Sequence, residues 1–343
     1  MREDLLRRPL KAIEVNAGKS VSRILEEMSE TGFQGRTLGE VVRVWERAIR
    51  AGDTVIFMGL AGSMSTTGQW KVVKWLIEKR FVDVLVSTGA NVSEDLIEAM
   101  GMKYWQGSHN LDDAELRSRR IYRFHDVLVK EEDYLKMEEM VAEFMLGLDR
   151  TRTYTSAELL HLLGRWLDSR GVDGILASAY RAGVPVFVPA LVDSGYGVAY
   201  LFNRWRDRSF RLLIDHFKDF EQMVRIRSRF GDGAAVFIGG GVPKDIIQLV
   251  AVSVDVLTNG DLTKTRPHRF AMQVTTDSPH WGGLSGATLE EAVSWGKEAR
   301  DSYKVQCFAD ATIALPLVAH ALAERVPEGR KGPDLSWVFS GTE

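Results

Sequence analysis

Residues 54–68 read TVIFMGLAGSMSTTG, in which a short apolar run stops at a segment of glycine, serine and threonine. The residues after it, QWKVVKWLIEKR, have the periodicity of an amphipathic helix. An apolar strand that leads through a small polar turn into a helix is the repeating unit of parallel sheets covered by helices on both faces. This stretch therefore predicts an α/β fold.

The same pattern recurs along the chain. Further apolar runs that end in small or polar residues cover residues 82–88, 184–192, 234–241, 268–276 and 305–310. In an open parallel sheet, ligands bind in the crevice beyond the carboxyl ends of the strands. Because each Gly/Ser/Thr/Asp cluster falls at such an end, we expect one shared ligand site along the edge of a Rossmann-like parallel sheet.

The domain organisation is simple. The 343 residues, of which 45% are hydrophobic, suffice for a large core. Residues 1–50 read as a helical segment, residues 51–330 as one ligand-binding α/β domain, and residues 331–343 as a poorly ordered tail. Between about 104 and 180 the pattern is mostly helical and charged, without a clear linker.

Composition argues against several classes of protein. The single cysteine, Cys307, excludes a disulfide framework and a cysteine-rich zinc site, which fits a reducing compartment. The N-terminus lacks an apolar signal region and no apolar run approaches the roughly 20 residues of a membrane span. A net charge of −3, with both signs interspersed, does not favour nucleic-acid binding, and the seven histidines show no metal-ligand spacing. We expect a cytoplasmic protein without a metal.

Small residues after the strands are suited to phosphate binding. The turns of residues 62–68 and 239–241 would let backbone N–H groups approach phosphate oxygens at the start of a helix. Residues 88–94 could bind a ribose or a nicotinamide, and Asp193 and Asp310 a ribose or a cation. Each of these features is also compatible with a tight turn or a helix cap, and the residues alone do not decide between the two.

Residues 282–300, GGLSGATLEEAVSWGKEAR, are the most unusual stretch. Thr288 and Glu291 form an S/T-x-x-E capping box, so a helix should begin at 288. If the helix ends at the glycine before Lys297, that lysine projects from the helix end beside Trp295, where desolvation would lower the pKa of its amine. The alternative is a solvated lysine at a helix terminus.

The string EAVSWGK (291–297) closely resembles the signature of the deoxyhypusine synthase family. The blocks that accompany it in the family's order are VDVLVSTGANVSEDLIEAMG (82–101), VPVFVPALVDSGYG (184–197), IGGGVPKDII (238–247) and FADATIALPLVAHAL (308–322). The resemblance covers about residues 50 to 325. EAVSWGK is highly specific because it contains the reactive lysine of the family.

The resemblance implies the deoxyhypusine synthase fold, with NAD as cofactor, and a homotetramer built as a dimer of dimers with active sites at the dimer interface. A hydride passes from spermidine to NAD, diaminopropane leaves, and Lys297 accepts the aminobutyl group as an imine. A lysine of the hypusine-bearing translation factor then displaces Lys297 from the imine, and the retained NADH reduces the product. Residues 51–330 would form the catalytic domain.

The matching motifs also imply site residues. Those expected to contact NAD are Gly62, Ser63, Met64, Ser65, Thr66, Thr88, Gly89, Ala90, Glu94, Asp193, Gly240, Thr276, Asp310 and Ala311. Those expected to bind the amine with Lys297 are Glu291, Trp295, Asp245, Gly282, Gly283 and Leu284.

Three positions depart from the family's pattern. Val198 replaces an aspartate of eukaryotic members, Gly283-Leu284 replaces Ser-Asp in a form that resembles the archaeal and bacterial branches, and Asp245 stands where a histidine is common. The amine pocket is therefore altered. Deoxyhypusine synthase remains the leading hypothesis, a homospermidine-synthase-like enzyme with putrescine as acceptor is its rival, and a non-catalytic NAD or polyamine-binding protein is the third.

Overall fold

The computed structural model describes residues 6–261 and 263–340. The first five residues of the expected N-terminal helical segment and the last three of the expected tail lie outside the described residues.

The strands form one large sheet and two small ones. In chain order they are β1 (Thr54–Leu60), β2 (Val84–Ser87), β3 (Trp105–Gln106), β4 (Ile121–Phe124), β5 (Val127–Lys130), β6 (Thr153–Tyr154), β7 (Val186–Phe187), β8 (Leu213–Ile214), β9 (Asp232–Ile238), β10 (His268–Thr275) and β11 (Glu298–Phe308). The central sheet has the order β11-β10-β9-β1-β2-β7, and every pairing in it is parallel. The predicted α/β fold with a parallel sheet is confirmed.

The helices flank this sheet. They are α1 (Val21–Met28), α2 (Phe33–Arg50), α3 (Trp70–Glu78), α4 (Asp95–Ala99), α5 (Asp113–Ser118), α6 (Glu131–Leu146), α7 (Ser156–Asp168), α8 (Ile175–Ala182), α9 (Gly195–Arg206), α10 (His216–Ser228), α11 (Gly241–Leu257) and α12 (Ala311–Arg325). Single 3₁₀ turns cover Ala90–Val92, Pro279–Trp281, Glu291–Trp295 and Ser336–Phe339. No helix in the described part of the chain is both long enough and apolar enough to cross a membrane.

The order of the strands places a crevice at the middle of the sheet. The chain begins at β1 and moves outward to β2 and β7, then returns to the other side of β1 with β9, β10 and β11. The connections after β1 and β9 therefore leave in opposite directions, and the gap between them is where open α/β sheets bind ligands. The two small-residue turns that come after these strands are 61–68 and 239–241.

Alternating side chains of the central strands fill two core layers. In β1, Ile56 and Met58 face the layer that contains α2, α3 and α12, whereas Val55 and Phe57 face the layer that contains α10 and α11. Leu335 and Val338 are buried in the second layer. The expectation of a poorly ordered tail is therefore wrong for residues 331–340, because these two apolar side chains anchor the segment.

An insertion between β2 and β7 departs from the sequence prediction. Residues 105–130 form a three-stranded antiparallel sheet of order β3-β5-β4, and α6 comes directly after it. The mostly helical pattern expected between about 104 and 180 is therefore wrong for β3, β4 and β5. Their residues are exposed or only partly buried, apart from Val129, so they lack the continuous apolar run of a central strand.

The pairing of β10 with β11 is irregular at its start. His268 pairs with Glu298 and Phe270 with Tyr303, so two steps along β10 face five steps along β11. From Phe270 to Thr275 the register is regular. The bulge therefore lies between Lys297, which directly precedes β11, and the regularly paired part of that strand.

Candidate active site

Asn91 joins the turns that come after β1 and β2. Its side chain is fully buried; Oδ1 accepts a hydrogen bond from the backbone N–H of Met64 at 2.7 Å, and Nδ2 donates to the carbonyl of Gly62 at 3.0 Å. Nδ2 also donates to Oγ1 of Thr88 at 2.8 Å, and the Ser65 hydroxyl donates to the Asn91 carbonyl at 2.6 Å. One amide therefore fixes the shape of both turns. The sequence motif contained Asn91 but did not single it out.

Glu94 is a buried carboxylate at the same edge of the sheet. Its Oε2 accepts a hydrogen bond from the Ser63 hydroxyl, and its Oε1 accepts one from the Tyr134 hydroxyl at 3.0 Å. Burial raises the pKa of Glu94, while these two hydrogen bonds oppose the rise. Although Glu94 directly precedes α4, its side chain makes no capping hydrogen bond to that helix. The helix-cap alternative therefore does not describe this residue.

The glycine turn after β9 is shaped by its contact with residues 285–287. Gly239 and Gly241 have φ values of +76° and +59°, which side chains other than glycine rarely adopt. A Cβ atom on Gly240 would lie 2.5 Å from Cα of Ser285, and the backbone N–H of Gly241 donates to Oγ of Ser285 at 2.9 Å. The three glycines thus permit two turns of the chain to approach closely.

Gln273 of β10 links these turns from beneath. Its Oε1 accepts hydrogen bonds from Nζ of Lys244 and Nε2 of Gln306, each at 2.9 Å. Its Nε2 donates to the carbonyls of Gly239 at 2.8 Å and Ser285 at 2.7 Å. The full hydrogen-bonding capacity of the amide is used. Sequence reasoning missed Gln273, because a single glutamine in an apolar strand carries no motif.

Two buried charged residues adjoin this amide. Lys244, in the first turn of α11, is 1% exposed and donates to the carbonyl of Ala287 at 2.8 Å. Burial lowers the pKa of Lys244 to about 8 and raises the pKa of Glu298, at the start of β11, to about 8. Nε2 of Gln248 donates to Oε1 of Glu298 at 3.4 Å. These contacts anchor residues 285–298 to β10 and α11.

Lys297 comes after a short turn that closes beside it. Oγ1 of Thr288 accepts the backbone N–H of Glu291 at 3.0 Å, as the capping motif predicted, but Glu291–Trp295 form a 3₁₀ turn rather than an α-helix. Gly296, with φ +73°, ends that turn. Nζ of Lys297 lies 5.4 Å from the ring centre of Trp295, whose side chain is 62% exposed. Among the described residues, the Lys297 ammonium has no hydrogen-bond or ion-pair partner.

Lys297 and the turns at the strand ends lie at opposite ends of the sheet. The carbonyl of Lys297 accepts the backbone N–H of His268, the first residue of β10, at 2.9 Å. Thr276 comes after the other end of β10, and from His268 to Thr275 the strand extends roughly 23 Å. This distance exceeds the length of a lysine side chain. The Lys297 charge nevertheless contributes to lowering the pKa of Lys244, whose Nζ bonds to Gln273 beneath the glycine turn.

The structure thus divides the expected site residues into two groups. The residues expected to contact NAD all come after the carboxyl ends of strands; they are Gly62, Ser63, Met64, Ser65, Thr66, Thr88, Gly89, Ala90, Glu94, Asp193, Gly240, Thr276, Asp310 and Ala311. Gly282, Gly283 and Leu284 are exposed and precede Ser285 near the glycine turn. Glu291, Trp295 and Lys297 lie on the segment that leads into β11, and Asp245 lies in α11, directly after its first turn.

Some of these residues also have structural roles. A Cβ atom on Gly89 would lie 2.3 Å from Oγ of Ser194, so the turn after β2 packs against the connection that carries Asp193. Oδ1 of Asp310 accepts hydrogen bonds from the hydroxyl and from the backbone N–H of Thr312, the latter at 2.7 Å, and these two bonds lower the pKa of Asp310. Asp310 therefore caps α12, which was one of the two alternatives. The ligand-binding roles remain predictions.

An all-parallel sheet with this strand order and small-residue turns at its central crevice defines a Rossmann-like α/β protein. Comparison with known proteins narrows this class, since the deoxyhypusine synthase family model matches residues 23–322. The chain belongs to the deoxyhypusine synthase family.

Individual relatives agree with this assignment. A protein of Methanosarcina mazei named "Probable deoxyhypusine synthase 2" is 43% identical, over 93% of this chain and 91% of its own. A "Deoxyhypusine synthase-like protein" of Chlorobaculum parvum is 34% identical, over 95% of this chain and 92% of its own. A crystal structure named "a putative deoxyhypusine synthase from Entamoeba histolytica" has a TM-score of 0.63 at 17% identity, and the match covers 91% of this chain and 96% of that chain. That structure supports the fold alone.

Proposed function

We propose that the protein is an NAD-dependent aminobutyl transferase that moves the aminobutyl group of spermidine through an imine on Lys297 to a lysine of the hypusine-bearing translation factor. The observation that carries the proposal is the setting of Lys297. Its ammonium lies 5.4 Å from the centre of the Trp295 ring, beside a glycine-terminated turn, and has no direct hydrogen-bond or ion-pair partner among the described residues. Membership of the family supports the transferase class.

The turns at the carboxyl ends suit NAD. The glycine turn and the N-terminus of α11 would bind the pyrophosphate, although the N–H of Gly241 is already bonded to Ser285. Glu94, held by Ser63, would accept hydrogen bonds from ribose hydroxyls. When bound, NAD supplies the acceptor for a hydride from the carbon next to the secondary amine of spermidine.

The residues around Lys297 suit a cationic amine. Asp245 and Glu291 are both near enough to Lys244 for their charges to raise its pKa against the effect of burial, so the two carboxylates lie in the same neighbourhood. A carboxylate would hold the distal ammonium of the substrate, while the Trp295 indole excludes water from the reacting amine. Lys297 must lose a proton before its nitrogen attacks, and the departing diaminopropane takes one up.

The separation of the two groups of residues supports an active site shared between two copies. The cofactor turns of one protomer would face Lys297 of the partner subunit. Exposed apolar side chains occur in both regions. On α11 and the turn before Lys297 they are Val242, Leu249, Val256 and Trp295, and in the segments that follow β7 and β11 they are Val192 and Ile313. Burying such side chains favours association. We propose a tight dimer of this kind within a homotetramer.

Covalent trapping tests the proposal. The protein is incubated with NAD and spermidine labelled in its aminobutyl part, reduced with borohydride and digested. We expect label on the peptide that contains Lys297, only when NAD is present, and none in a Lys297→Arg variant. Lys264→Arg, which changes an exposed lysine elsewhere, is the control and should be labelled normally. Label on another lysine, or none with NAD bound, would contradict the imine; the second result favours a non-catalytic NAD or polyamine-binding protein.

A second acceptor is favoured by one observation. Asp245 and Glu291 place two carboxylates near the proposed amine site, and a diamine such as putrescine carries two ammonium groups. A homospermidine-synthase-like activity would fit this match. Supplying putrescine and the translation factor together with labelled spermidine separates the two acceptors, and label found only in a small polyamine would remove the protein acceptor from the proposal.

A further inference from the structure

The antiparallel insertion reaches the carboxyl edge of the sheet through one hydroxyl group. Tyr134 of α6 donates to Oε1 of Glu94 at 3.0 Å. Its ring packs edge-on against Tyr122 of β4, with ring centres 5.8 Å apart, and at a tilt against Phe124, with ring centres 6.2 Å apart. The ring is therefore fixed by the insertion while its hydroxyl is directed at a residue outside it.

Glu94 is held from two sides and along its backbone. The Tyr134 hydroxyl occupies one position on Oε1, and the Ser63 hydroxyl occupies one on Oε2. Tyr104 donates to the backbone carbonyl of Glu94 at 3.0 Å. A carboxylate offers about four acceptor positions, so each oxygen keeps one for a ligand while the plane of the group is fixed.

We propose that Tyr134 is a positioning residue of the dinucleotide site, which orients the Glu94 carboxylate toward the hydroxyls of a ribose. The inference rests on the proposed use of NAD. It adds Tyr134, whose ring is held by Tyr122 and Phe124, to the residues that shape the cofactor site. Because burial disfavours the charged carboxylate, a second donor also helps to keep Glu94 ionised, which is the form that accepts two ribose hydroxyls.

A single hydroxyl deletion tests this role. In Tyr134→Phe the ring contacts remain and only the hydrogen bond to Glu94 is lost, so the Kd for NAD should rise about tenfold. At saturating NAD, the KM for spermidine should stay within about twofold of the wild-type value. Tyr122→Phe removes a hydroxyl from the same insertion without touching Glu94, and its Kd for NAD should not change.

A double-mutant cycle separates action through Glu94 from a structural effect. If Tyr134 acts by orienting Glu94, Tyr134→Phe should not weaken NAD binding further in a Glu94→Ala background. An equal loss in both backgrounds would overturn the inference, as would an unchanged Kd in the single variant. A wild-type protein that binds no NAD would overturn both the inference and the proposed function, so the two failures are distinguishable.

Discussion

The carboxyl-end turns and the segment of residues 285–297 are built in different ways. The turns after β1 and β2 are fixed from within by Asn91, which is fully buried and bonds to both of them. The segment of residues 285–297 is anchored at its start by Gln273 and Lys244, but it ends in Trp295, which is largely exposed, and in Lys297, whose ammonium has no polar partner among the described residues. The comparison indicates that one half of the proposed site is fixed by buried contacts within a chain, whereas the other half ends in side chains that are exposed or lack a polar partner.

The largest expected effect comes from Lys297→Arg. Arginine keeps the charge but cannot form the imine, so turnover should fall by at least about a thousandfold. The Kd for NAD should stay at the wild-type value because Lys297 lies at the opposite end of the sheet from the cofactor turns. Steady-state kinetics measure the loss of turnover and NAD titration measures the Kd. A large change in the Kd would show that Lys297 and the cofactor turns are not independent.

Mixing two inactive variants sharpens the comparison. Lys297→Arg keeps the cofactor turns and Glu94→Ala keeps the lysine, so a mixed dimer contains one site with both intact halves. Random reassociation should restore about one quarter of the wild-type activity. Each variant mixed with itself is the control. No recovery, with mixed dimers demonstrated by mass, would contradict the shared site.

Gln273→Leu should cause a large loss of stability. The substitution removes one of the two acceptors of the buried Lys244 ammonium and leaves two backbone carbonyls without donors, so the free energy of unfolding should fall by about 3–5 kcal/mol. Gln306→Leu, which removes a donor to the same amide, should cost about 1 kcal/mol. Denaturant unfolding measures both losses. Equal losses would contradict the central role of Gln273 in the hydrogen-bond network.

Glu298→Gln should have a smaller, pH-dependent effect. Burial raises the pKa of Glu298 to about 8 from 4.5, so the folded state binds the proton more tightly and the wild-type protein loses stability as the pH rises through that interval. The variant lacks this loss, so its stability relative to wild type should increase from pH 5 to pH 8 by on the order of 3 kcal/mol. Glu290→Gln, in an exposed ion pair of the same segment, should show no such trend. If the stability difference between Glu298→Gln and the wild type does not change with pH, the raised pKa of Glu298 is contradicted.

The parts of the fold that depend on continuous apolar runs were predictable from the sequence. β1 is buried along its whole length, and its run of apolar residues ends where the strand ends. The glycine before Lys297 was considered as the end of a helix; the structure has a 3₁₀ turn in place of that helix, and Gly296, with its positive φ, ends the turn. In both cases the signal is local, since it depends on residues that are neighbours in the chain.

Contacts between distant residues could not be predicted in the same way. Gln273 bonds to Gly239, Ser285 and Gln306, which no spacing in the sequence connects. Tyr134 lies 40 residues from Glu94 and carries no motif. The separation of Lys297 from the cofactor turns depends on which end of β11 the lysine precedes, and only the strand pairing reveals this.

The bulge between β10 and β11 allows the connection between Glu298 and Tyr303 to vary in length. Residues 299–302 are not constrained by the regular pairing that begins at Tyr303. Because His268 pairs with Glu298 and donates its N–H to the carbonyl of Lys297, removing or adding one residue between 299 and 302 should leave Lys297 in place at the start of β10. The connection can therefore change in length without moving the proposed nucleophile or the paired core of the sheet.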